Sequence, residues 1–203
     1  MTLDAFELAW QQWTSSKGAR SLIAIWEQSE AKRQQEKLVG ALAAKIAPLR
    51  TVVEVGCGAG LLVPHLPEFQ RYRGYDISKP LTQEAKERLK GDKRCRFFVH
   101  DLRNQAPYKR PVDLVICVDV ALHYLDPLDI LAQVVENWPG HHYLLSTAYG
   151  TDDLELLNAR ILTRKHLLTG LEQLGTTIAS DERVYGGSFW MYYALIKPHD
   201  SDQ

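Results

Sequence analysis

The stretch that decides the fold is Thr51-Val52-Val53-Glu54-Val55-Gly56-Cys57-Gly58-Ala59-Gly60-Leu61-Leu62. Its first five residues are mostly apolar and β-branched, which is typical of a buried strand. Three glycines at alternate positions follow, and the chain then becomes amphipathic, so the pattern predicts a strand, a tight turn and a helix start. Because glycine has no Cβ, a backbone that carries several glycines can pass close to a bound ligand.

An acidic residue stands at the end of the next apolar run. Asp76 directly follows Tyr75 and lies 20 positions after Gly56. A carboxylate at such a place can accept hydrogen bonds from two ribose hydroxyls of a nucleoside. The strand, the glycine turn and the distal acid together predict a nucleoside cofactor on the first half of an α/β sheet.

The glycine spacing distinguishes two classes of nucleoside cofactor. Dinucleotide-binding enzymes use G-x-G-x-x-G, whereas this chain has G-x-G-x-G preceded by Glu54, and Leu61 stands where the third dinucleotide glycine would be. The pattern resembles the first motif of the class I S-adenosylmethionine-dependent methyltransferases, E/D-x-G-x-G-x-G. A nicotinamide oxidoreductase is therefore the weaker interpretation.

Further motifs of that family follow in order, and the resemblance extends over roughly residues 38–197. The run Cys95-Arg96-Phe97-Phe98-Val99-His100-Asp101-Leu102 is similar to the next motif. The run from Pro111 to Leu125 resembles the fourth strand and the turn that follows it. Several motifs in order are more specific than a single glycine turn.

The resemblance implies a set of contacts to S-adenosylmethionine. In that family the acid matching Glu54 supports the turn and often reaches the cofactor's amino group through water. Asp76 would bind the ribose hydroxyls, and Asp101 would bind the exocyclic amine of adenine. The full set of cofactor-binding residues implied is Glu54, Gly56, Cys57, Gly58, Gly60, Asp76, Ile77, Asp101, Leu102, Val118 and Asp119. We interpret Cys57 as a small apolar turn residue, because no basic neighbour would stabilise a thiolate.

The residues after the fourth strand are the candidates for chemistry on the methyl acceptor. Methyl transfer from a sulfonium is an in-line displacement, so a base is required only if the acceptor must lose a proton. His123 is the candidate base because imidazole titrates near neutrality, and the alternative is that it packs or orients its loop. Asp119 would either bind the acceptor or cap the turn. Candidates for the acceptor pocket, each with ordinary core packing as the alternative, are Trp26, Tyr124, Tyr149 and Trp190.

Two classes of methyl acceptor are disfavoured because their sequence signatures are missing. The turn Asp119-Val120-Ala121-Leu122 lacks the Asn/Asp-Pro-Pro-aromatic signature of exocyclic amino methylation, and no Pro-Cys motif offers a nucleophile for methylating carbon 5 of pyrimidines. A small-molecule acceptor is the leading expectation. Two alternatives stay open: a methyltransferase that acts on protein or RNA, and a non-catalytic, cofactor-binding regulatory partner.

Composition sets the broad class. A chain of 203 residues with 45% hydrophobic content predicts one well-packed globular unit. The net charge of -1 argues against a protein built to neutralise a phosphate backbone, and acids interleave with the basic residues of Lys86–Arg96, which favours a solvated helix face. The three cysteines form no C-x-x-C pair and predict neither metal site nor disulfide framework. We expect a cytoplasmic protein, monomer or homodimer, without signal peptide or membrane span.

The predicted architecture follows from alternating strands and helices. Predicted strands are 51–55, 71–75, 95–99, 112–118, 141–147, 176–184 and 188–197; predicted helices are 4–16, 19–47, 60–66, 79–90, 127–137 and 163–174. They indicate an α/β fold with a seven-stranded, mostly parallel, doubly wound sheet, an antiparallel terminal hairpin and an N-terminal helical extension. Residues 1–47 would form a helical cap and 48–203 a Rossmann-like domain. Ligands bind such sheets outside the carboxyl ends of the strands.

Overall fold

The structure, a computed structural model, describes residues 15–124, 126–151, 154–156, 159–185 and 189–199. The chain divides into two units, Met1–Leu102 and Arg103–Gln203. The predicted helix 4–16 falls almost wholly outside the described residues. The predicted division into a cap, 1–47, and a Rossmann-like domain, 48–203, stays a prediction.

Three parallel strands form the sheet of the first unit, in the order β3-β2-β1. They are β1 (Leu49–Val55), β2 (Phe69–Asp76) and β3 (Cys95–Val99), and each contains the strand predicted at its place. The register places Glu54 of β1 opposite Gly74 of β2. The carboxyl ends of β1 and β2 therefore lie side by side, which brings the glycine turn next to Asp76.

The prediction of one helix over 19–47 is wrong, because the helix is interrupted at Ser29. The structure has α1 (Ser16–Gln28) and α2 (Glu30–Ala43), followed by one 3-10 turn, Ala44–Ile46. The Ser29 N–H donates to the Trp26 carbonyl oxygen at 3.1 Å, and the Ser29 hydroxyl accepts from the Lys32 N–H at 3.2 Å. One serine thus ends α1 and caps α2, since its extended backbone cannot continue a helix.

The helix predicted after the glycine turn, 60–66, is also wrong. Only a 3-10 turn, Val63–His65, is present there. Pro64 has no N–H to donate. The backbone of α2 passes directly over this turn, because a Cβ added at Gly40 would collide with the His65 carbonyl oxygen. The next helix, α3 (Lys79–Arg88), begins as predicted after the N-cap residue Ser78.

The second unit combines a parallel pair with an antiparallel one. Strands β4 (Leu114–Cys117) and β5 (Tyr143–Gly150) are parallel; β9 (Phe189–Pro198) runs antiparallel to β5, and β8 (Gly175–Tyr185) pairs with β9. Helices α4 (Pro127–Asn137) and α5 (Arg164–Leu174) lie where they were predicted. This arrangement confirms the terminal hairpin and the α/β fold class.

Two short strands of the second unit were not predicted. They are β6 (Leu154–Leu156) and β7 (Ala159–Thr163), which pair antiparallel with each other. Strand β7 also pairs in parallel with the end of β5, where Tyr149 faces Leu162. They extend the seven predicted strands to nine in the part of the chain that is described. None of the helices in that part has the length and apolar character that crossing a membrane requires.

Candidate active site

The glycine turn after β1 depends on a left-handed backbone. Gly56, Gly58 and Gly60 have φ values of 79°, 50° and 71°, a region that residues with a Cβ rarely adopt. The Gly56 N–H donates to the Tyr75 carbonyl oxygen at 2.7 Å, and the Gly58 N–H donates to Asp76 Oδ2 at 2.8 Å. The turn is therefore fastened to the end of β2 by one backbone and one side-chain acceptor.

Asp76 joins two elements at this edge. Its Oδ1 accepts from the Ser78 N–H at 2.7 Å, so it holds the start of α3 as well as the glycine turn. The residue is only 6% exposed, and burial raises its pKa, although the two N–H donors from Ser78 and Gly58 oppose that shift. A carboxylate offers about four lone-pair sites, so acceptor capacity is left for two ribose hydroxyls.

Glu54 lies buried one strand away and has a partner that the sequence analysis missed. The Tyr72 hydroxyl, itself fully buried, donates a hydrogen bond to Glu54 Oε2. Burial raises the pKa of Glu54 to about 8, and the bond from Tyr72 opposes the shift. Alternation along β2 puts Tyr72 and Asp76 on one face, so this pairing could have been found once the register of the strands was known.

Close packing behind the glycine turn explains why Cys57 and Gly74 are small residues. A Cβ added at Gly74 would lie 2.7 Å from both Cys57 Sγ and Phe97 Cδ1. Cys57 is buried, and burial raises the pKa of its thiol well above the usual range. The neutral thiol therefore packs in this cluster, which matches its interpretation as a small apolar turn residue.

Helix α1 covers the glycine turn. Ala19 and Ile23 pack in one apolar cluster with Ala59 of the turn, and Trp26 packs against that cluster. A Cβ at Gly58 would lie 3.5 Å from Cζ3 of the indole. Trp26, predicted as an acceptor contact, thus lies directly on the turn that was predicted to hold the cofactor.

The remaining predicted cofactor residues of the first unit follow β2 and β3. The His100 N–H donates to the Asp76 carbonyl oxygen at 2.9 Å, which keeps the chain after β3 at the edge where β2 ends. Asp101 is partly buried and Leu102 is buried. Ile77 is 37% exposed. The structure therefore collects the predicted contacts of this unit at the carboxyl ends of its three parallel strands.

The second unit holds the candidates for chemistry on the acceptor in the turn after β4. Asp119 has a φ of 61°, and its N–H donates to the hydroxyl of Ser146 on β5 at 2.9 Å. Ser146 was missed by the sequence analysis. A non-glycine residue in this left-handed region costs about 1–3 kcal/mol, so the surroundings of Asp119 fix its conformation. Val118 before it is partly buried.

His123 lies at the end of a 3-10 turn, Ala121–His123, and Tyr124 follows it. Burial lowers the pKa of His123, while the charge of Asp119 opposes the shift. The imidazole is therefore neutral around pH 7 and able to accept a proton. The structure thus places both predicted catalytic residues of this unit close enough to interact electrostatically.

Two predicted acceptor contacts form an aromatic pair. Tyr149 on β5 and Trp190 on β9 are stacked, with ring centroids 5.6 Å apart and an interplanar angle of 18°. The Tyr149 hydroxyl donates to Glu182 Oε2 at 2.8 Å, and Arg164 pairs with the same oxygen at 3.1 Å. Neither Glu182 nor Arg164 was singled out from the sequence, since their partners lie on distant elements.

The first unit fits an adenosyl group that carries an amino-acid tail. It offers a turn whose backbone is free of Cβ atoms at three positions, and two buried carboxyl groups, Glu54 and Asp76, at neighbouring strand ends. Hydroxyl and ammonium donors of such a ligand need acceptors of this kind. Among the described residues there is no group of three or more His, Cys, Asp or Glu side chains placed to hold a metal ion.

Comparison with known proteins agrees with this geometry. The family model described as "Methyltransferase domain" matches residues 52–138. The N-methyltransferase NodS from Bradyrhizobium japonicum WM9, in complex with S-adenosyl-L-homocysteine, is similar in structure with a TM-score of 0.73 and 14% identity, over 97% of this chain and 100% of that one. None of the curated protein sequences matches significantly.

Other solved structures have the same fold. Magnesium protoporphyrin IX methyltransferase (ChlM) from Synechocystis PCC 6803, with bound S-adenosyl-L-homocysteine, has a TM-score of 0.71 and 16% identity, over 94% of this chain and 100% of that one. The N-terminal domain of EvdMO1, in the presence of the same product and D-fucose, has a TM-score of 0.66 and 16% identity, over 81% of this chain and 82% of that one.

At 14–16% identity, the similarity to these structures supports the fold and nothing more. The family match is independent support, because it rests on the amino-acid sequence. It spans the glycine turn, Asp76, Asp101 and the turn that contains Asp119 and His123. The motifs, the geometry of the first unit and the family match agree. Residues 52–138 match a methyltransferase domain, and the chain has the fold of the class I S-adenosylmethionine-dependent methyltransferases.

Proposed function

We propose that this methyltransferase acts on a small-molecule acceptor. The observation that carries the proposal is the cover that α1 forms over the glycine turn, with the Trp26 ring against Gly58. A covered cofactor site suits a small acceptor better than a polymer, which needs an open groove. Helices before β1 would then serve as the cap predicted for residues 1–47.

The proposed cofactor site uses the residues collected in the first unit. Glu54 would reach the amino group, Asp76 the ribose hydroxyls and Asp101 the adenine amine, while the glycine turn leaves room for the methionine end. Ile77 and Leu102 would contribute apolar contact. When bound, S-adenosylmethionine supplies a methyl group already activated by its sulfonium. The protein's own contribution is to bind, orient and exclude water.

The proposed acceptor residues belong to the second unit, apart from Trp26. His123, neutral because burial lowers its pKa, would take a proton from an acceptor that must lose one. Asp119 would hold the acceptor or the imidazole of His123. Its backbone conformation is already set in the ligand-free protein by the bond to Ser146. Aromatic walls would come from Tyr124 and from the stacked pair of Tyr149 and Trp190.

We also propose that the protein works in the cytoplasm. Cys57, Cys95 and Cys117 are free thiols, and free thiols are typical of proteins in reducing compartments. A monomer and a homodimer are both compatible with the contacts described for either unit.

One observation favours keeping an anionic macromolecule as the second candidate acceptor. A cavity of about 360 Å³ on the first unit is lined by basic and apolar side chains, among them Lys86, Lys93, Arg96 and Phe98. Neighbouring cations have acidic partners, as in the Arg94–Asp92 pair at 2.6 Å. Lys86, Lys93 and Arg96 make no ion pair within the described residues, so this surface has an excess of positive charge that RNA or an acidic protein could use.

Methyl transfer from cofactor labelled in its methyl group tests the proposal. The purified protein would be incubated with the small-metabolite fraction and, separately, with the RNA and protein fractions of a cell extract. We expect label in the small molecules only, with transfer by the His123→Gln variant reduced by about 10²–10⁴-fold. Label in RNA or protein alone would refute the small-molecule acceptor. Cofactor binding without transfer to any fraction would favour the regulatory alternative.

A further inference from the structure

The Tyr72 hydroxyl is buried beside Glu54, at the edge of the glycine turn. It donates to Glu54 Oε2, and the tyrosine ring is held between two phenylalanines. Its centroid lies 6.1 Å from that of Phe69 and 5.6 Å from that of Phe97. Because the ring is fully enclosed, the hydroxyl has a fixed position and serves one oxygen of the Glu54 carboxyl group.

Titratable groups on α2 and β2, together with the Cys57 thiol of the glycine turn, act on Glu54. From α2, Lys32 lowers its pKa and Glu36 raises it; from β2, Asp76 raises it and the bond from Tyr72 lowers it. His65, in the turn beneath α2, faces Glu36 at 3.4 Å. Burial is the largest influence and the resulting pKa is about 8.

A carboxyl group in these surroundings is mostly protonated at pH 7. A cation bound beside it would favour the ionised form, because an opposite charge at close range lowers the pKa of an acid. A hydroxyl that donates to the carboxylate favours ionisation as well. The Tyr72 hydroxyl and a bound cation therefore act on Glu54 in the same direction.

We infer that Tyr72 is a positioning residue for cofactor binding: its hydroxyl orients Glu54 and stabilises the carboxylate that forms when a ligand ammonium binds there. The inference rests on the role proposed for Glu54 at the amino group of S-adenosylmethionine. The proton balance is simple. Glu54 loses one proton to the solvent on binding, its O–H bond breaks, and no other covalent bond changes.

Calorimetric titration between pH 6 and 9 tests the inference. S-adenosyl-L-homocysteine is the probe, because it carries the same ammonium group and lacks the reactive sulfonium. Each titration is repeated in two buffers with different ionisation enthalpies, which gives the affinity and the number of protons released. The Glu54→Gln variant reports the ligand's own titration, and Tyr75→Phe removes a hydroxyl from the other face of the same strand.

The wild type is expected to release a fraction of a proton that Glu54→Gln does not release. Tyr72→Phe is expected to bind about tenfold more weakly at pH 7, because a hydrogen bond to a charged group is lost. Its affinity should approach that of the wild type as the pH rises toward 9, where Glu54 ionises without help. Proton release in this variant should shift to higher pH, whereas Tyr75→Phe should follow the wild type.

Two results would count against the inference. Equal proton release by the wild type and Glu54→Gln would overturn it, and so would a loss of affinity in Tyr72→Phe that is the same at every pH, since a purely structural role predicts that. If Tyr72→Phe does not fold, the comparison of wild type with Glu54→Gln still tests the ionisation of Glu54 on which the inference depends, and equal proton release by these two proteins overturns it. Absence of binding by the wild type at every pH would instead contradict the cofactor site itself.

Discussion

Among single residues, His123 has the protonation state on which catalysis would depend. Burial lowers its pKa, so the neutral form persists below pH 6.5, and Asp119 limits the shift. We expect His123→Gln to lower the turnover rate by about 10²–10⁴-fold, the usual contribution of a general base, with little change in cofactor affinity. The measurement is steady-state kinetics against pH, alongside titration with S-adenosylmethionine.

The lowered pKa of His123 fixes the direction in which turnover should change with pH. The acid limb of the wild-type profile should fall below pH 6.5, and Asp119→Asn should move it further toward acid, because the charge that raises the pKa of His123 is removed. Retained turnover in His123→Gln would show that this side chain packs or orients the loop, the alternative given by the sequence.

Glu54 is expected to lower the stability of the ligand-free protein as the pH rises. Its folded pKa, about 8, lies above the ordinary value of 4.5, so between those two values the folded state holds a proton that the unfolded state has lost. The free energy of unfolding therefore decreases from pH 4.5 toward 8. Relative to the wild type, Glu54→Gln should gain several kcal/mol over that range.

Denaturant unfolding at several pH values measures this difference, with the exposed Glu136→Gln on α4 as the matched control. A difference between wild type and Glu54→Gln that does not vary with pH would contradict the raised pKa. A difference that grows with pH, as expected, would make the buried acid an instance of stability given up for binding.

Single residues differ in whether the sequence alone could identify them as part of the site. Asp76 and the glycines were found because their local order along the chain is distinctive. Tyr72, Ser146 and Glu182 were not, because their partners lie 18, 27 and 33 positions away in sequence. Such pairings depend on the register between strands, which the spacing within one strand does not contain.

Among the elements, α1 lies over the glycine turn. It is fastened to α3 by an ion pair, Arg88 with Glu27, at 2.6 Å. Both side chains are partly exposed, so the pair contributes at most about 1 kcal/mol to stability. A ligand that lies along Gly58 would displace Trp26 from it, so we expect α1 to move when the cofactor binds.

Glu27→Gln should therefore leave the thermal midpoint nearly unchanged and raise the association rate of S-adenosylmethionine severalfold, because α1 opens more often. Stopped-flow fluorescence reports the rate through Trp26, and Glu87→Gln on the exposed face of α3 is the matched control. An association rate that is the same in all three proteins would show that α1 does not limit entry.

The elements differ in how well local sequence predicted them. Helix α4 was predicted to the residue, since Asp126 caps it through the Leu128 and Asp129 N–H groups at 3.1 Å each and Pro127 suits its first position. The break at Ser29 was missed because the polar residues around it give no periodic apolar signal. Strands β6 and β7 are too short for a pattern of alternation to stand out.

On the scale of the whole molecule, the order of motifs along the chain was enough to predict the fold class and the cofactor. The motifs are short, and each lies at the end of a strand, which is why their function could be predicted without knowing the packing. The acceptor could not be predicted in that way, because the pocket proposed for it would draw side chains from elements far apart in sequence, such as Tyr149 and Trp190.

Ligand binding should also show in the stability of the whole chain. A ligand that binds only the folded state raises the free energy of unfolding by about 2.7 kcal/mol when its concentration is 100 times its dissociation constant. S-adenosyl-L-homocysteine should therefore raise the thermal midpoint in proportion to the logarithm of its concentration. Absence of any shift at millimolar ligand would contradict binding to the folded state.

The decisive measurement is calorimetric titration of the wild type and of Asp76→Asn with S-adenosylmethionine. Asparagine keeps the size of the side chain and one acceptor for the N–H groups of Gly58 and Ser78, so the variant should fold. We expect micromolar binding by the wild type, about -8 kcal/mol, and affinity at least about tenfold lower in Asp76→Asn, since hydrogen bonds to a charged acceptor are lost. Equal affinity in the two proteins, or no binding by the wild type, would contradict a cofactor site built on Asp76 and the glycine turn.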